Sequence, residues 1–385
     1  MCRALTKCCC LCLLLIAGCA FGASPAPGRA IQTQDRPGTV LQQEAISGAP
    51  FAATAYRVLY RSTGLDGRPI VVSGLVVIPA GPVPPGGRPI VAWAHPTTGV
   101  VPRCAPSLAF FHFQQIQGLR DMVQHGYIVA ATDYPGLGTE GPHPYLVGVS
   151  EARAVLDSVR AARAIAGADA SSRFALWGHS QGGQAVLFSA IIAAHYAPEL
   201  QLVGVAAAAP ATELAELLQA DLDTPAGKNL TAMTLWSWSR LYNAPIAKVA
   251  APSAIPVIDR LANECIESIY GLYLREHTER PLETAFLTVP DLSTTEPWAE
   301  LVARNTPGTL PPDIPVFIAQ GTDDRIVPPR ITQDYVRRLC AAGSRVTLDE
   351  MAGVGHGFAG MRSARDADSW IADRFAGREA PNDCS

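Results

Sequence analysis

The stretch that decides the fold spans residues 173–190, RFALWGHSQGGQAVLFSA. Residues 174–177 are a short apolar run that predicts a buried strand, and residues 183–194 predict an alanine-rich, apolar helix. Between them stands GHSQG, residues 178–182, which matches the G-x-S-x-G pattern of a nucleophile elbow. The strand before this motif and the helix after it favour an elbow over a glycine-rich turn that merely buries a serine.

The elbow assigns chemistry to two of its residues. Its sharp turn makes the Oγ of Ser180 accessible, and Gly178 and Gly182 let strand and helix approach closely because they carry no side chain. The N–H of Gln181 lies at the helix start, where backbone donors are unpaired and the helix dipole is positive. The sequence therefore predicts Ser180 as a nucleophile and the Gln181 N–H as a donor to an oxyanion.

A serine nucleophile needs a base and an acid that orients the base. In this type of sheet they follow the serine in the order acid, then histidine. A predicted strand at residues 314–320 runs into Asp323 and Asp324, and the predicted last strand, residues 345–350, runs into His356. Asp324 is favoured as the acid because Asp-x-x-Val-Pro is its usual setting in hydrolases, and Asp323 is expected to cap the next helix.

The rest of the chain alternates between strand and helix patterns, which predicts a mainly parallel sheet flanked by helices. Residues 44–209 and 313–385 are expected to form this α/β core. Residues 210–312 interrupt the alternation and predict a mostly helical lid insertion, whose aromatic residues either line an acyl pocket or pack within the insertion. The predicted strands are residues 56–62 and 70–78, paired as a hairpin, then 90–94, 127–132 and 202–209; the predicted helices are residues 114–125, 148–166, 331–342 and 363–375.

The second oxyanion donor is expected in the loop after residues 90–94, which reads HPTTG. Pro96 lacks an N–H, so Thr97 and Thr98 remain as donors.

The amino terminus predicts export. Residues 1–19 combine a basic start with a short apolar run and read as a signal peptide. Residues 16–19, IAGC, match a lipobox, which predicts lipidation at Cys19 and, through the lipid, attachment to a membrane; ordinary cleavage after Ala20, Gly22 or Ala23, all small residues, is the alternative. Residues 20–43 are expected to be a flexible tether.

Four separated motifs resemble the secretory lipase family, which includes the fungal lipase A type. They are HPTTGVVPRCAPS at residues 95–107, DYPGLG at 133–138, the elbow at 178–182 and NTPG at 305–308, and the resemblance covers about residues 50–384. It implies an α/β-hydrolase with a helical lid, a triad of Ser180, Asp324 and His356, and an oxyanion loop at Thr97 or Thr98.

The same resemblance bears on two other groups of residues. It implies disulfides between Cys104 and Cys265 and between Cys340 and Cys384, whereas the cysteine count alone leaves three pairings or free thiols open. Asp133 is expected to shape the mouth of the site rather than to take part in the chemistry.

The composition excludes several function classes. A formal net charge of −4 without a basic run argues against a nucleic-acid partner. No phosphate loop, dinucleotide fingerprint or HExxH motif occurs, so no cofactor or metal is expected. The leading interpretation is a serine carboxylic ester hydrolase, a lipase or esterase acting on an ester or lipid. An acyltransferase and a peptidase with the same triad remain alternatives; a binding protein is disfavoured because all three triad residues are present.

Overall fold

A computed structural model describes residues 35–266, 275 and 277–384. The predicted signal peptide, Cys19 and most of the predicted tether lie outside the described residues. The tether prediction is wrong at its end, because strand β1 (Val40–Ile46) begins inside it. β1 pairs antiparallel with the next strand, with Glu44 opposite Arg57, and most of its side chains are exposed. Ladder hydrogen bonds rather than an apolar face therefore hold these residues, which is why their polar sequence resembled a tether.

A nine-stranded sheet organises the described part of the chain, in the order β1-β2-β3-β5-β4-β6-β7-β8-β9. The first three strands form an antiparallel meander that joins β5, and every pair from β5 to β9 is parallel. The predicted hairpin and mainly parallel sheet are confirmed. After β1 the strands are β2 (Thr54–Thr63), β3 (Pro69–Ile78), β4 (Arg88–Ala94), β5 (Ile128–Thr132), β6 (Ala170–His179), β7 (Gln201–Ala208), β8 (Val316–Gly321) and β9 (Val346–Met351).

Two predicted core helices have different bounds. The helix predicted at residues 114–125 is shorter, because Gly118 adopts a left-handed φ of 83° and separates a 3-10 turn from the helix proper. The last helix begins at His356, seven residues earlier than predicted. The helices are α1 (Leu119–Gln124), α2 (Gly148–Ala164), α3 (Gln181–Tyr196), α4 (Leu214–Asp221), α5 (Pro225–Leu241), α6 (Ile255–Ala262), α7 (Pro281–Thr284), α8 (Trp298–Asn305), α9 (Pro329–Ala341) and α10 (His356–Phe375), with 3-10 turns at Pro50–Ala52, Pro102–Cys104, Pro106–Leu108, His112–Gln115, Ile246–Lys248 and Leu292–Thr294.

Both faces of the sheet are covered. Along β4, Ile90 and Ala92 point into one apolar core, whereas Val91 and Trp93 point into another. The first core lies under α2 and α3, and the second under α1 and α10. This two-sided burial explains why the central strands are continuous apolar runs. Because these strands run parallel, their carboxyl ends meet at one edge of the sheet. Helices α4–α8 form the insertion at this edge. None of the helices in the described ranges is long and apolar enough to cross a membrane.

Candidate active site

Ser180 lies on the sharp turn between β6 and α3, with φ 58° and ψ −118°. This is a sterically costly conformation for a residue with a side chain. A Cβ at Gly178 would lie 2.2 Å from the carbonyl oxygen of Gly182, and a Cβ at Gly182 would lie 1.9 Å from that of Ala94. Both positions therefore require glycine for the elbow to close.

Three of the predicted site residues come together at the carboxyl edge of the sheet. The Ser180 hydroxyl lies 2.8 Å from Nε2 of His356, and Nδ1 of His356 lies 2.8 Å from Oδ2 of Asp324. The other Asp324 oxygen accepts the backbone N–H groups of Ile326 at 2.9 Å and Val327 at 2.8 Å. Because these donors fix the carboxylate, Nδ1–H of His356 points to Asp324 and Nε2 remains free to accept the serine proton.

The structure separates the two candidate acids. Asp324 is 4% exposed and contacts His356, whereas Asp323 is an exposed loop residue. Asp323 does not cap the following helix as expected, because α9 begins only at Pro329.

A second histidine positions the first turn of α10. The Nε2–H of His179 donates to the carbonyl oxygen of His356 at 3.0 Å, and its Nδ1 faces the side-chain amide of Gln117 at 3.4 Å. Burial, and then the neighbouring His356, lower the pKa of His179 to about 3, so the ring is neutral at physiological pH. A Cβ at Gly360 would lie 1.9 Å from the Gln117 amide oxygen. Close packing thus fixes the backbone that carries His356.

The oxyanion candidates occupy different environments. Gln181 is the first residue of the 16-residue helix α3, so its N–H has no intrahelical acceptor. Thr97 lines the cavity that contains Ser180, and its hydroxyl shares a 3.0 Å hydrogen bond with Tyr145. Thr98 is buried, and its carbonyl accepts the N–H of Ile266 at 2.7 Å. Of the two threonines, Thr97 is therefore the one beside the nucleophile.

The Gln181 side chain belongs to a buried polar network that sequence analysis missed. Its amide donates to Nε2 of His143 and to Oε1 of Glu151, both at 2.8 Å. His143 can accept because its Nδ1–H donates to the Pro135 carbonyl at 2.8 Å. Glu151 Oε1 also accepts the N–H of Leu146 at 3.0 Å. The network fixes the residue that follows the nucleophile.

Burial keeps this network largely neutral. It raises the pKa of Glu151 to about 8 and lowers the pKa of His143 to about 3. The sequence signal that could have revealed this network is the glutamate among the alanines and valines of α2. A helix of that composition buries most of its surface, and Glu151 is buried with it.

A cavity of about 420 Å³ lies above Ser180 and His356. On the side of the insertion, Ala226 and Leu230 of α5 form an apolar part of the cavity wall. Asn229 and Glu279 form a polar part, in which the Asn229 side-chain amide donates to Glu279 at 2.8 Å. The aromatic residues of α5 pack within the insertion instead: the Nε1–H of Trp236 donates to Asp259 at 2.9 Å, and Trp238 is fully buried and stacks on Trp298. The cavity above Ser180 is thus bounded by small, aliphatic, polar and charged groups.

Two further features fix the loops around the cavity. A disulfide joins Cys104, beyond the oxyanion loop, to Cys265 in the insertion, and a second joins Cys340 to Cys384. Asp133 accepts the backbone N–H of Ser107 at 2.8 Å and the hydroxyls of Ser107 at 2.5 Å and Ser73 at 2.6 Å. These contacts give Asp133 a structural role in the loop that ends at Ser107.

Residues 114–383 match the family model described as Secretory lipase. The chain belongs to the secretory lipase family. It is 26% identical to a secreted triacylglycerol lipase of Malassezia globosa, over 90% of this chain and 78% of that protein. It is 25% identical to a Mycobacterium tuberculosis protein named a probable inactive lipase, over 89% of this chain and 79% of that protein.

Solved structures agree on the fold of this secretory lipase. Candida antarctica lipase A aligns with a TM-score of 0.73 at 19% identity, over 91% of this chain and 84% of that one. The rice cell wall degrading esterase LipA of Xanthomonas oryzae aligns with a TM-score of 0.72 at 20% identity, over 89% and 100%. The protein is an α/β-hydrolase-fold carboxylic ester hydrolase. The family and the disulfides indicate export.

Proposed function

We propose that this secretory lipase hydrolyses esters through an acyl-enzyme formed on Ser180, with His356 as general base and Asp324 as the acid that orients it. The observation that carries the proposal is the continuous pair of 2.8 Å hydrogen bonds from Ser180 through His356 to Asp324. This geometry meets the requirement that nucleophile, base and orienting group lie within hydrogen-bond reach.

In the first half-reaction, Ser180 Oγ attacks the ester carbonyl carbon while Nε2 of His356 takes the hydroxyl proton. Collapse of the tetrahedral intermediate breaks the bond to the alcohol oxygen, which receives that proton from His356. Water then attacks the acyl-enzyme by the same route, and the carboxylic acid leaves with Ser180 restored. Asp324 stabilises the imidazolium at each stage without taking its proton.

The developing oxyanion is stabilised by the N–H of Gln181 and by Thr97. The Gln181 N–H lies at the positive end of the α3 dipole, where negative charge is favoured. Thr97 lies in the same cavity wall as Ser180, and Pro96 has no N–H to contribute.

An acyltransferase would use the same intermediate with an alcohol in place of water, so product analysis with an added alcohol separates the two activities.

Replacing the nucleophile tests the proposal directly. Ser180→Ala is expected to lower kcat for a p-nitrophenyl ester on the order of a millionfold. Ser189→Ala is the matched control, because Ser189 is a buried serine on α3, the helix that follows Ser180, and its hydroxyl donates to the Ala185 carbonyl at 2.7 Å. The control should keep wild-type turnover. Wild-type turnover in a folded Ser180→Ala variant would refute the mechanism, and an inactive wild-type enzyme would refute the proposed activity.

We also propose that lipid on Cys19 attaches the mature enzyme to a membrane. The support is the sequence IAGC at residues 16–19 directly after an apolar run. Each buried methylene of an acyl chain contributes about 0.8 kcal/mol, so more than one chain holds a domain at a bilayer stably.

A further inference from the structure

A small recess opens from the cavity above Ser180, directly beside the nucleophile. Ser180, Leu230 and Ile326 line both spaces. The recess measures about 20 Å³, which is about the room that one water molecule needs. Most of its wall is apolar, with Leu217 and Val327 among the lining residues. A substrate group that enters the recess must therefore be small and must lie within a few bonds of the carbon that Ser180 attacks.

The recess contains a carboxyl group that the mechanism does not use. Asp221, the last residue of α4, lines the recess and is 3% exposed. Its Oδ1 is buried and has no hydrogen-bond partner among the residues that the structure describes. Burial, and then the charge of Asp324, raise the pKa of Asp221 well above the usual range for aspartate, so the side chain keeps its proton and can donate a hydrogen bond. Leaving such a buried group unpaired costs free energy, so we expect it to meet a partner in the recess.

Gln181 adds a hydrogen-bond acceptor to the same recess. Its side-chain nitrogen donates to His143 and Glu151, whereas its Oε1 is buried and has no partner in the described part of the chain. Gln181 lines the recess next to Ser180. One donor on Asp221 and one acceptor on Gln181 match the two hydrogen-bonding functions of a hydroxyl group. A methyl group of similar size would leave both of them unpaired.

We propose that the recess binds a hydroxyl group of the substrate, and that Asp221 is a specificity-determining residue for esters that carry a hydroxyl close to the ester bond. The hydroxyl oxygen accepts from the Asp221 carboxyl, and the hydroxyl proton is donated to Oε1 of Gln181. The hydroxyl can belong to the acid or to the alcohol of the ester, because both are bonded to the carbonyl carbon that Ser180 attacks. This inference rests on the proposed function, because it places that carbonyl carbon at Ser180.

The test compares pairs of esters in which a hydroxyl replaces a methyl group of similar size. Methyl 3-hydroxybutanoate and methyl 3-methylbutanoate vary the acid, and 2-hydroxypropyl butanoate and 2-methylpropyl butanoate vary the alcohol. The hydroxyl-to-methyl ratio of kcat/KM is measured for each pair with purified full-length enzyme. Asp221→Ala should lower this ratio about tenfold for one of the two pairs, because a hydrogen bond to the substrate is lost, and that pair identifies the moiety. Asp221→Asn keeps a donor of the same size and should stay within about threefold of the wild-type ratio.

Asp223→Ala is the matched control, because Asp223 is an exposed aspartate in the turn after α4, outside the recess. It should leave both ratios at their wild-type values. The inference is overturned if Asp221→Ala leaves both ratios unchanged. It is also overturned if Asp221→Asn lowers a ratio as far as Asp221→Ala does, since the loss would then not come from hydrogen bonding. Turnover of methyl 3-methylbutanoate by the wild type, and its loss in Ser180→Ala, test the triad separately, so a failure of the recess is distinguishable from a failure of the mechanism.

Discussion

The buried carboxyl of Glu151 makes a specific prediction about stability and pH. The free energy of unfolding of the wild type is expected to fall as the pH rises. Glu151→Gln is expected to abolish this fall. Gln keeps an oxygen that can accept from Leu146 and Gln181, as Glu151 Oε1 does. His143, whose Nε2 lies 3.7 Å from Glu151 Oε1, cannot neutralise a carboxylate there because burial lowers its pKa to about 3.

The magnitude follows from the pKa difference between the folded and unfolded states. Burial raises the pKa of Glu151 from 4.5 to about 8, so the folded protein binds more protons than the unfolded chain between these values. The stabilisation that the folded protein gains from the proton on Glu151 is fully present below pH 4.5. It declines by about 1.4 kcal/mol per pH unit above that value and is lost near pH 8. The total is about 5 kcal/mol. The other titratable groups that face Glu151, Tyr134 and Tyr145, have raised pKa values and stay neutral in this range.

Urea unfolding of both proteins, with disulfides intact, between about pH 5 and about pH 8 measures this effect. The free energy of unfolding of Glu151→Gln should gain several kcal/mol on the wild type across that interval. Glu140→Gln, at an exposed glutamate, is the control and should follow the wild type. If the curves for Glu151→Gln and wild type run parallel, Glu151 is ionised in the folded protein and the reasoning is wrong.

Three further predictions concern the triad, the lid and the amino terminus. Asp324→Asn should lower kcat about 10³- to 10⁴-fold through a misplaced imidazole proton, whereas Asp323→Asn should cost far less; the reverse ranking would contradict the acid assignment. Replacing Cys104 and Cys265 by serine removes a disulfide that closes a loop of 161 residues. The free energy of unfolding measured in a denaturation series should fall by up to about 5 kcal/mol, and unchanged stability would contradict this. Cys19→Ser should move the enzyme from the membrane fraction to the soluble fraction, and an unmodified wild-type amino terminus by intact mass would disprove the attachment.

Local sequence determined the elbow, the alternation of strands and helices and the chain order of the candidate triad. These features depend on residues close together in the chain: the turn at Ser180 needs glycine two residues before it and two residues after it, and the buried strands need only a short apolar run. The cysteine pairing could be stated only through the family resemblance, because the count alone leaves three pairings open.

Tertiary structure decided what depends on contacts between distant segments. Asp323 and Asp324 are neighbours in sequence, and although the local pattern favoured Asp324, only the folded chain shows that Asp324 contacts His356, more than thirty residues later. The start of α10 was missed because Gly357 and Gly360 resemble helix breakers, although Gly360 is required by close packing against Gln117.

The network of His143, Glu151 and Gln181 shows the same limit. It is formed by segments that are separate in the chain and that meet only when the sheet is assembled. Burial there changes the protonation of Glu151, and no local pattern records how much water a side chain will lose. The sequence by itself therefore determined the elbow and the chain order of the candidate triad, and the packed structure decided which partners these residues contact and how burial changes the protonation of the groups around them.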